Sequence, residues 1–170
     1  MGKTKLAPQP ETSVPRLELC AAVLAVELAD MIVSELDMQV NSTIFFTDSK
    51  VVLGYIGNEH RRFYVYVSNR VLRIRRSSQP EQWHYVPTDK NPADCGTRSI
   101  PSIQMSTTAW LNSPSFISNS LFNRFESNSY CLINPENDVE IRPVVTRAIA
   151  RLIHISQSFK KETRPKDCKG

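Results

Sequence analysis

The sequence predicts an α/β domain in which parallel strands alternate with flanking helices. Two observations support this prediction: long apolar blocks with a helical period, and two short runs of β-branched and aromatic residues between them. Their order is helix, strand, helix, helix, strand, helix, which is typical of strands joined by helical crossovers. With 170 residues, of which 41% are hydrophobic, the chain is long enough for one buried core.

Changes in composition and periodicity divide the chain into four stretches. Residues 1–13 precede the periodic apolar blocks of residues 14–100. Residues 101–140 are expected to form a linker rich in Ser and Asn, and residues 141–170 are expected to form a short, basic helical tail. No run approaches the roughly 18 apolar residues of a membrane-spanning helix. Because the N-terminus also lacks an apolar signal core, we expect an intracellular protein with free cysteines.

The long helix and the first strand are predicted from residues 14–47. A helix is expected over residues 14–36, with Thr12 and Ser13 as candidate capping residues and Pro15 in its first turn. Its apolar run predicts burial on more than one face. Residues 43–47 are apolar on both sides, as in a central parallel strand.

The remaining predicted elements follow at short intervals. A short helix opens at residues 48–49 and runs to residue 56, and a longer helix covers residues 63–77. Residues 82–86 form the second strand, in which His84 is expected to be structural, and residues 91–94 begin a last short helix. These elements complete the α/β pattern.

Three carboxylates stand at the start of a helix or the end of a strand: Glu18, Asp48 and Asp94. Each has a simple explanation, because a helix N-terminus favours negative charge and Asp is a common capping residue. As a set they allow a second interpretation, since converging carboxylates repel each other and persist where a divalent cation neutralises them. Both interpretations remain open from the residues alone.

The positive charge of the chain is concentrated in one segment. The formal net charge is +4, and six arginines with no acidic residue lie between residues 60 and 79. Such a helix can follow the phosphates of a nucleic acid, but it is also typical of a solvated surface. The candidate nucleic-acid-binding residues are Ser49, Lys50, Arg61, Arg62, Asn69, Arg70 and Arg73.

Several short strings occur in one order along the chain. They are KTKLAP at residues 3–8, VPRLELCAA at 14–22, FTDS at 46–49, NRV at 69–71, VP at 86–87, NPAD at 91–94, and Trp110 followed by PSF at 114–116. In this order they resemble the ribonuclease H-like region of BEL/Pao-type retrotransposon polyproteins. The resemblance implies a Mg²⁺-dependent nuclease, with two ions held by four carboxylates, that hydrolyses RNA in RNA–DNA hybrids. Glu18, Asp48 and Asp94 would be three of these catalytic, metal-binding residues.

The sequence departs from that family at its start. In the family, the first catalytic aspartate lies on a strand that precedes the stretch matching residues 3–5, and the chain has no counterpart of it. The resemblance therefore implies a partial fold without its first three strands, in which residues 1–13 are the remnant of a strand and a loop. It also implies an incomplete site and little or no activity. It also leaves the edge of strand 43–47 open to pairing with another chain. The alternative function is that of a non-catalytic nucleic-acid-binding or interaction remnant.

Overall fold

The computed structural model describes residues 12–96, 100–112, 114 and 130–144. Three sequence expectations fall wholly or partly outside these residues: the N-terminal strand and loop, much of the Ser/Asn-rich linker, and nearly all of the basic helical tail. The strings at residues 3–8 and 115–116 also lie outside the described residues.

The first helix, α1 (Val14–Glu35), has nearly the predicted bounds. Ser13 is its N-cap residue without a side-chain capping bond, although the Ser13 carbonyl accepts hydrogen bonds from the first turn. Leu19, Ala22 and Val26 are its buried residues, and their spacing places them on one face. Burial on more than one face was predicted, whereas the buried residues of α1 lie on the one face that contacts the next two helices of the chain.

A parallel pair of strands, β1 (Phe45–Thr47) and β2 (Trp83–Tyr85), confirms the predicted mixed α/β class with parallel strands. Both strands are shorter than predicted. The chain before β2 forms a 3₁₀ turn (Pro80–Gln82), which cannot pair with β1, and the Gln82 side chain instead donates to the Thr43 carbonyl at 2.7 Å. After β2, Pro87 has no N–H to extend the ladder.

Two further helices, α2 (Lys50–Gly57) and α3 (Val65–Ser77), follow β1. The buried residues of α3 are Val67, Val71 and Ile74, which recur with the helical period. After β2 the chain forms 3₁₀ turns at Thr88–Lys90 and Pro92–Gly96, and then the one-turn helices α4 (Ser102–Met105) and α5 (Ala109–Asn112). The short helix expected from residue 91 is thus a 3₁₀ turn.

The core lies between α1, α2, α3 and one face of the sheet. Phe45 stacks on Trp83 with ring centroids 4.6 Å apart, and the Trp83 indole N–H donates to the Ser78 hydroxyl at 3.0 Å. The largest fully buried side chain is that of Tyr55 on α2. In the described part of the chain, no helix is both long and apolar enough to cross a membrane. The described cysteines, Cys20, Cys95 and Cys131, are thiols and not disulfides.

Residues 130–144, which we call the strap, pack against this core. Phe63 and Ile141 form an antiparallel bridge, and the Arg142 N–H donates to the Arg62 carbonyl at 2.7 Å. The fit is close at α2, where a Cβ on Gly54 would lie 2.8 Å from the Cys131 carbonyl oxygen. Residues that the sequence assigned to the linker and the start of the tail are therefore part of the packed unit.

Candidate functional site

A buried serine joins the first turns of two helices. The Ser49 hydroxyl donates to Glu18 Oε2 at 2.6 Å and accepts a hydrogen bond from the Val52 N–H at 3.2 Å. Ser49 is only 4% exposed, and its own N–H donates to the Thr47 hydroxyl. Because these bonds fix the serine at the N-terminus of α2, they also fix the Glu18 carboxylate beside the carboxyl end of β1.

Asp48 directly follows β1 and is half-buried. The N-cap of α2 is Ser49, so Asp48 is not the capping residue of that helix. The structure therefore brings the sequence around Glu18 on α1 and the carboxyl end of β1 together at one edge. Ligands of open α/β sheets bind beyond this end of the strands.

Asp94 lies on the 3₁₀ turn Pro92–Gly96, where its N–H donates to the Asn91 carbonyl at 3.2 Å. The Asn91 side chain accepts from the Ala93 N–H, so Asn91 is the residue that caps this turn. Within residues 12–96, 100–112, 114 and 130–144, no three His, Cys, Asp or Glu side chains form a group that could hold a metal ion. The residues in this arrangement therefore do not fit a two-ion centre.

The electrostatic surroundings of Glu18 and Asp48 can be stated for the residues that the structure describes. In the described part of the chain, no Lys, Arg or His forms a salt bridge with either carboxylate. Lys50, the next residue but one after Asp48, places its ammonium 4.7 Å from the centroid of the Tyr85 ring. The Glu18 carboxylate at this edge thus accepts a hydrogen bond from a neutral hydroxyl.

Most of the predicted nucleic-acid-binding arginines contact other parts of the chain. Arg61 pairs with Glu136, and Arg73 pairs with Asp30 at 2.9 Å. Hydrogen bonds from Arg73 and Ser77 hold the pKa of the Asp30 carboxyl below its usual value.

Arg70 is held in the same way, since it donates to Cys20 Sγ at 3.2 Å and stacks on the Tyr66 ring at 3.5 Å. Burial and the neighbouring Cys20 raise the pKa of Tyr66. In contrast, Arg62 and Asn69 are exposed. The predicted arginine face is therefore partly a structural network that joins α3 to α1.

The ionic contact between Arg16 and Glu140 was not predicted from the sequence. Arg16 donates through two nitrogens to Glu140 on the strap, at 2.5 and 3.1 Å, and Glu140 is 3% exposed. The two residues lie 124 positions apart, and the strap has neither helical nor strand periodicity. No local signal in the sequence therefore pairs them.

The comparisons with known proteins concern the N-terminal part of the chain. Residues 1–49 match the family model of the Pao retrotransposon-like RNaseH-like domain. This match confirms the resemblance over that stretch, which includes Glu18 and Asp48 and ends before Asp94. Comparison of the chain with curated proteins and with solved structures finds no match.

Proposed function

We propose that the chain is a retrotransposon-derived segment of a ribonuclease H-like domain, in which Glu18 and Asp48 contribute to a divalent-cation site. The family match over residues 1–49 supports the origin of the segment. The observation that supports the site is the 2.6 Å hydrogen bond from Ser49 to Glu18, which holds a helix carboxylate beside the end of β1. The family activity is hydrolysis of RNA in RNA–DNA hybrids.

The donor set decides how much of that activity we expect. Mg²⁺ prefers oxygen ligands and is commonly bound by one or two carboxylates together with waters and substrate phosphates. Glu18 and Asp48 are suited to such a single, weak site, whereas Asp94 is not grouped with them among the described residues. We therefore propose that the 170-residue chain by itself has little or no nuclease activity.

A cleavage assay tests this proposal. The chain is incubated with a labelled RNA–DNA hybrid and Mg²⁺, and Asp48→Asn is compared with Asp89→Asn, which removes an exposed carboxylate from the 3₁₀ turn Thr88–Lys90. We expect trace cleavage that Asp48→Asn abolishes and Asp89→Asn leaves unchanged. Robust cleavage by the unmodified chain would contradict the weak activity, and cleavage unaffected by Asp48→Asn would contradict the site.

A second candidate function is non-catalytic binding of nucleic acid. It is favoured by the net charge of +4 and by basic side chains outside the structural network, such as the exposed Arg62 and Arg142. This function predicts salt-sensitive binding that persists in Asp48→Asn, because phosphate contacts release counterions whether or not a metal site is present.

A further inference from the structure

A groove lined by four arginines lies between the C-terminal end of α2, α3 and the strap. Its volume is about 370 Å³, and the arginines are Arg61, Arg62, Arg75 and Arg142. None of the described residues that line it is acidic. We propose that this groove binds the phosphodiester backbone of a nucleic acid, a proposal that rests on the second candidate function.

Arg75 provides a cation that is already fixed in place. Its Nε and Nη2 donate to the Ile56 carbonyl at 2.9 and 2.6 Å, and Nη2 also donates to the Asn58 carbonyl at 2.9 Å. The two hydrogens on Nη1 are outside these bonds. Because an arginine held in this way loses little conformational entropy on binding, it is suited to a first phosphate contact.

Arg62 and Arg142 provide a pair of exposed cations. The backbone hydrogen bond between them, at 2.7 Å, places the two residues on adjacent segments beside the Phe63–Ile141 bridge. In the described structure neither forms an ion pair, and the Arg142 guanidinium lies 5.6 Å from the Tyr64 ring centroid. Their charges are therefore available to a phosphate at little cost in broken contacts.

Arg61 already pairs with an anion of the chain, with which a phosphate would have to compete. This anion is Glu136 of the strap, whose side chain is 76% exposed. An exposed ion pair of this kind contributes little free energy and exchanges readily for another anion. The groove thus contains three available arginines, and a fourth, Arg61, whose pair with Glu136 a phosphate has to displace.

The lining favours a sugar–phosphate chain over free phosphate. The groove also contains the apolar side chains of Val71 and Leu72, and Leu72 is 52% exposed although it is a large hydrophobic residue. Inorganic phosphate has no apolar part to cover this surface, whereas the sugar of a nucleotide has one. We therefore expect a nucleic acid to bind far more tightly than inorganic phosphate.

The groove is separate from the carboxylate edge. Ser49, next to Glu18, lies at the N-terminus of α2, and Asn58 of the groove lies at its C-terminus. Eight helical residues separate these ends by about 12 Å. Binding in the groove should therefore need no Mg²⁺, which allows the two sites to be tested apart.

The test is fluorescence anisotropy of a short labelled DNA duplex with the full chain in EDTA, over a range of salt concentrations. The double variant Arg62→Gln/Arg142→Gln is compared with a control double variant, Arg76→Gln/Lys90→Gln. The control removes the same charge from exposed residues outside the groove. We expect the groove variant to bind about tenfold more weakly at 50 mM salt and the slope of log K against log salt to fall by about 2, at roughly 0.9 per phosphate contact. The matched control should retain both values.

A gain of binding provides a second test that does not depend on weakening the protein. Glu136→Gln releases Arg61 and should tighten binding about threefold, whereas Glu35→Gln, the same charge change at the end of α1, should not. Inorganic phosphate at the same concentrations should fail to displace the duplex.

Two outcomes would contradict nucleic-acid binding in the groove without contradicting the proposed function of the chain. These are equal binding by the groove variant and its control, or no effect of Glu136→Gln. If the unmodified chain does not bind the duplex in EDTA, the groove and the binding function both fail, while the Mg²⁺-dependent cleavage assay still tests the carboxylate site.

Discussion

Two glutamates lie in partly enclosed sites of this molecule and are stabilised in different ways. Glu140 on the strap is 3% exposed and accepts two hydrogen bonds from the Arg16 guanidinium. Glu18 on α1 is half-buried and accepts a hydrogen bond from the neutral Ser49 hydroxyl. Among the described residues, the first carboxylate has a cation as its partner and the second has none.

The difference indicates which of the two is available to a ligand. The Arg16–Glu140 pair also raises the pKa of Arg16, because the hydrogen bonds favour the charged guanidinium. Its charges are satisfied within the fold, and its effect is to hold the strap against α1. The Glu18 charge has a hydrogen-bond donor but no ion pair among the described residues, which is the condition in which a carboxylate gains from a bound cation.

The largest expected effect comes from breaking the Glu140 contact. Glu140→Ala removes both hydrogen bonds from Arg16 and should lower the free energy of unfolding by about 2 kcal/mol. This is less than the cost of leaving a buried charge unpaired, because Arg16 can turn towards water. Urea denaturation measures this change. Glu136→Ala, which breaks the exposed pair with Arg61, is the matched control and should cost roughly 0.5 kcal/mol or less. Equal effects of the two variants would show that burial of Glu140 is not what stabilises the strap.

The strap also marks the limit of prediction from this sequence. The helices α1 and α3 were predicted within about two residues, because apolar side chains with a helical period determine which face is buried. The strap is positioned by contacts between distant residues, such as Tyr55 with Asp138, whose hydroxyl–carboxylate distance is 2.8 Å. Burial and this contact raise the pKa of Tyr55. Such contacts leave no periodic pattern in the sequence.

The candidate site shows the same limit, because it also depends on a contact between distant residues. Asp48 was identified because it follows an apolar strand, and Glu18 because a carboxylate precedes a long apolar run. The position of Glu18 beside the end of β1 depends on Ser49, whose hydroxyl contacts a residue 31 positions away. Sequence patterns identify such side chains one by one, whereas the contact between Ser49 and Glu18 depends on the packing of α1 on α2, which is a property of the folded core.

The next largest effect tests whether Glu18 binds a cation. In thermal melting, Mg²⁺ at about ten times its dissociation constant should stabilise the chain by about 1.4 kcal/mol, because it binds only the folded state. Glu18→Gln retains an acceptor for Ser49 but loses the charge, so the Mg²⁺ response should disappear while the melting temperature without Mg²⁺ changes little. Glu35→Gln, at the exposed end of the same helix, should keep the full response. A response that survives in Glu18→Gln would place the ion elsewhere.

The smallest expected effect concerns His84, a buried side chain whose burial favours its neutral form. His84 in β2 is 8% exposed, and burial lowers the pKa of its imidazole. The unfolded chain therefore takes up a proton at a higher pH than the folded chain does, so the free energy of unfolding falls as the pH drops below about 6.5, the ordinary imidazole value. Urea denaturation at about pH 7.5 and about pH 5.5 should show this loss, and His84→Gln should reduce it, whereas His60→Gln on the exposed loop should not. If His84→Gln keeps the full dependence on pH, burial of this imidazole is not its source. Asp30 would not explain it either, because a carboxyl with a lowered pKa loses its stabilising effect only at a more acidic pH.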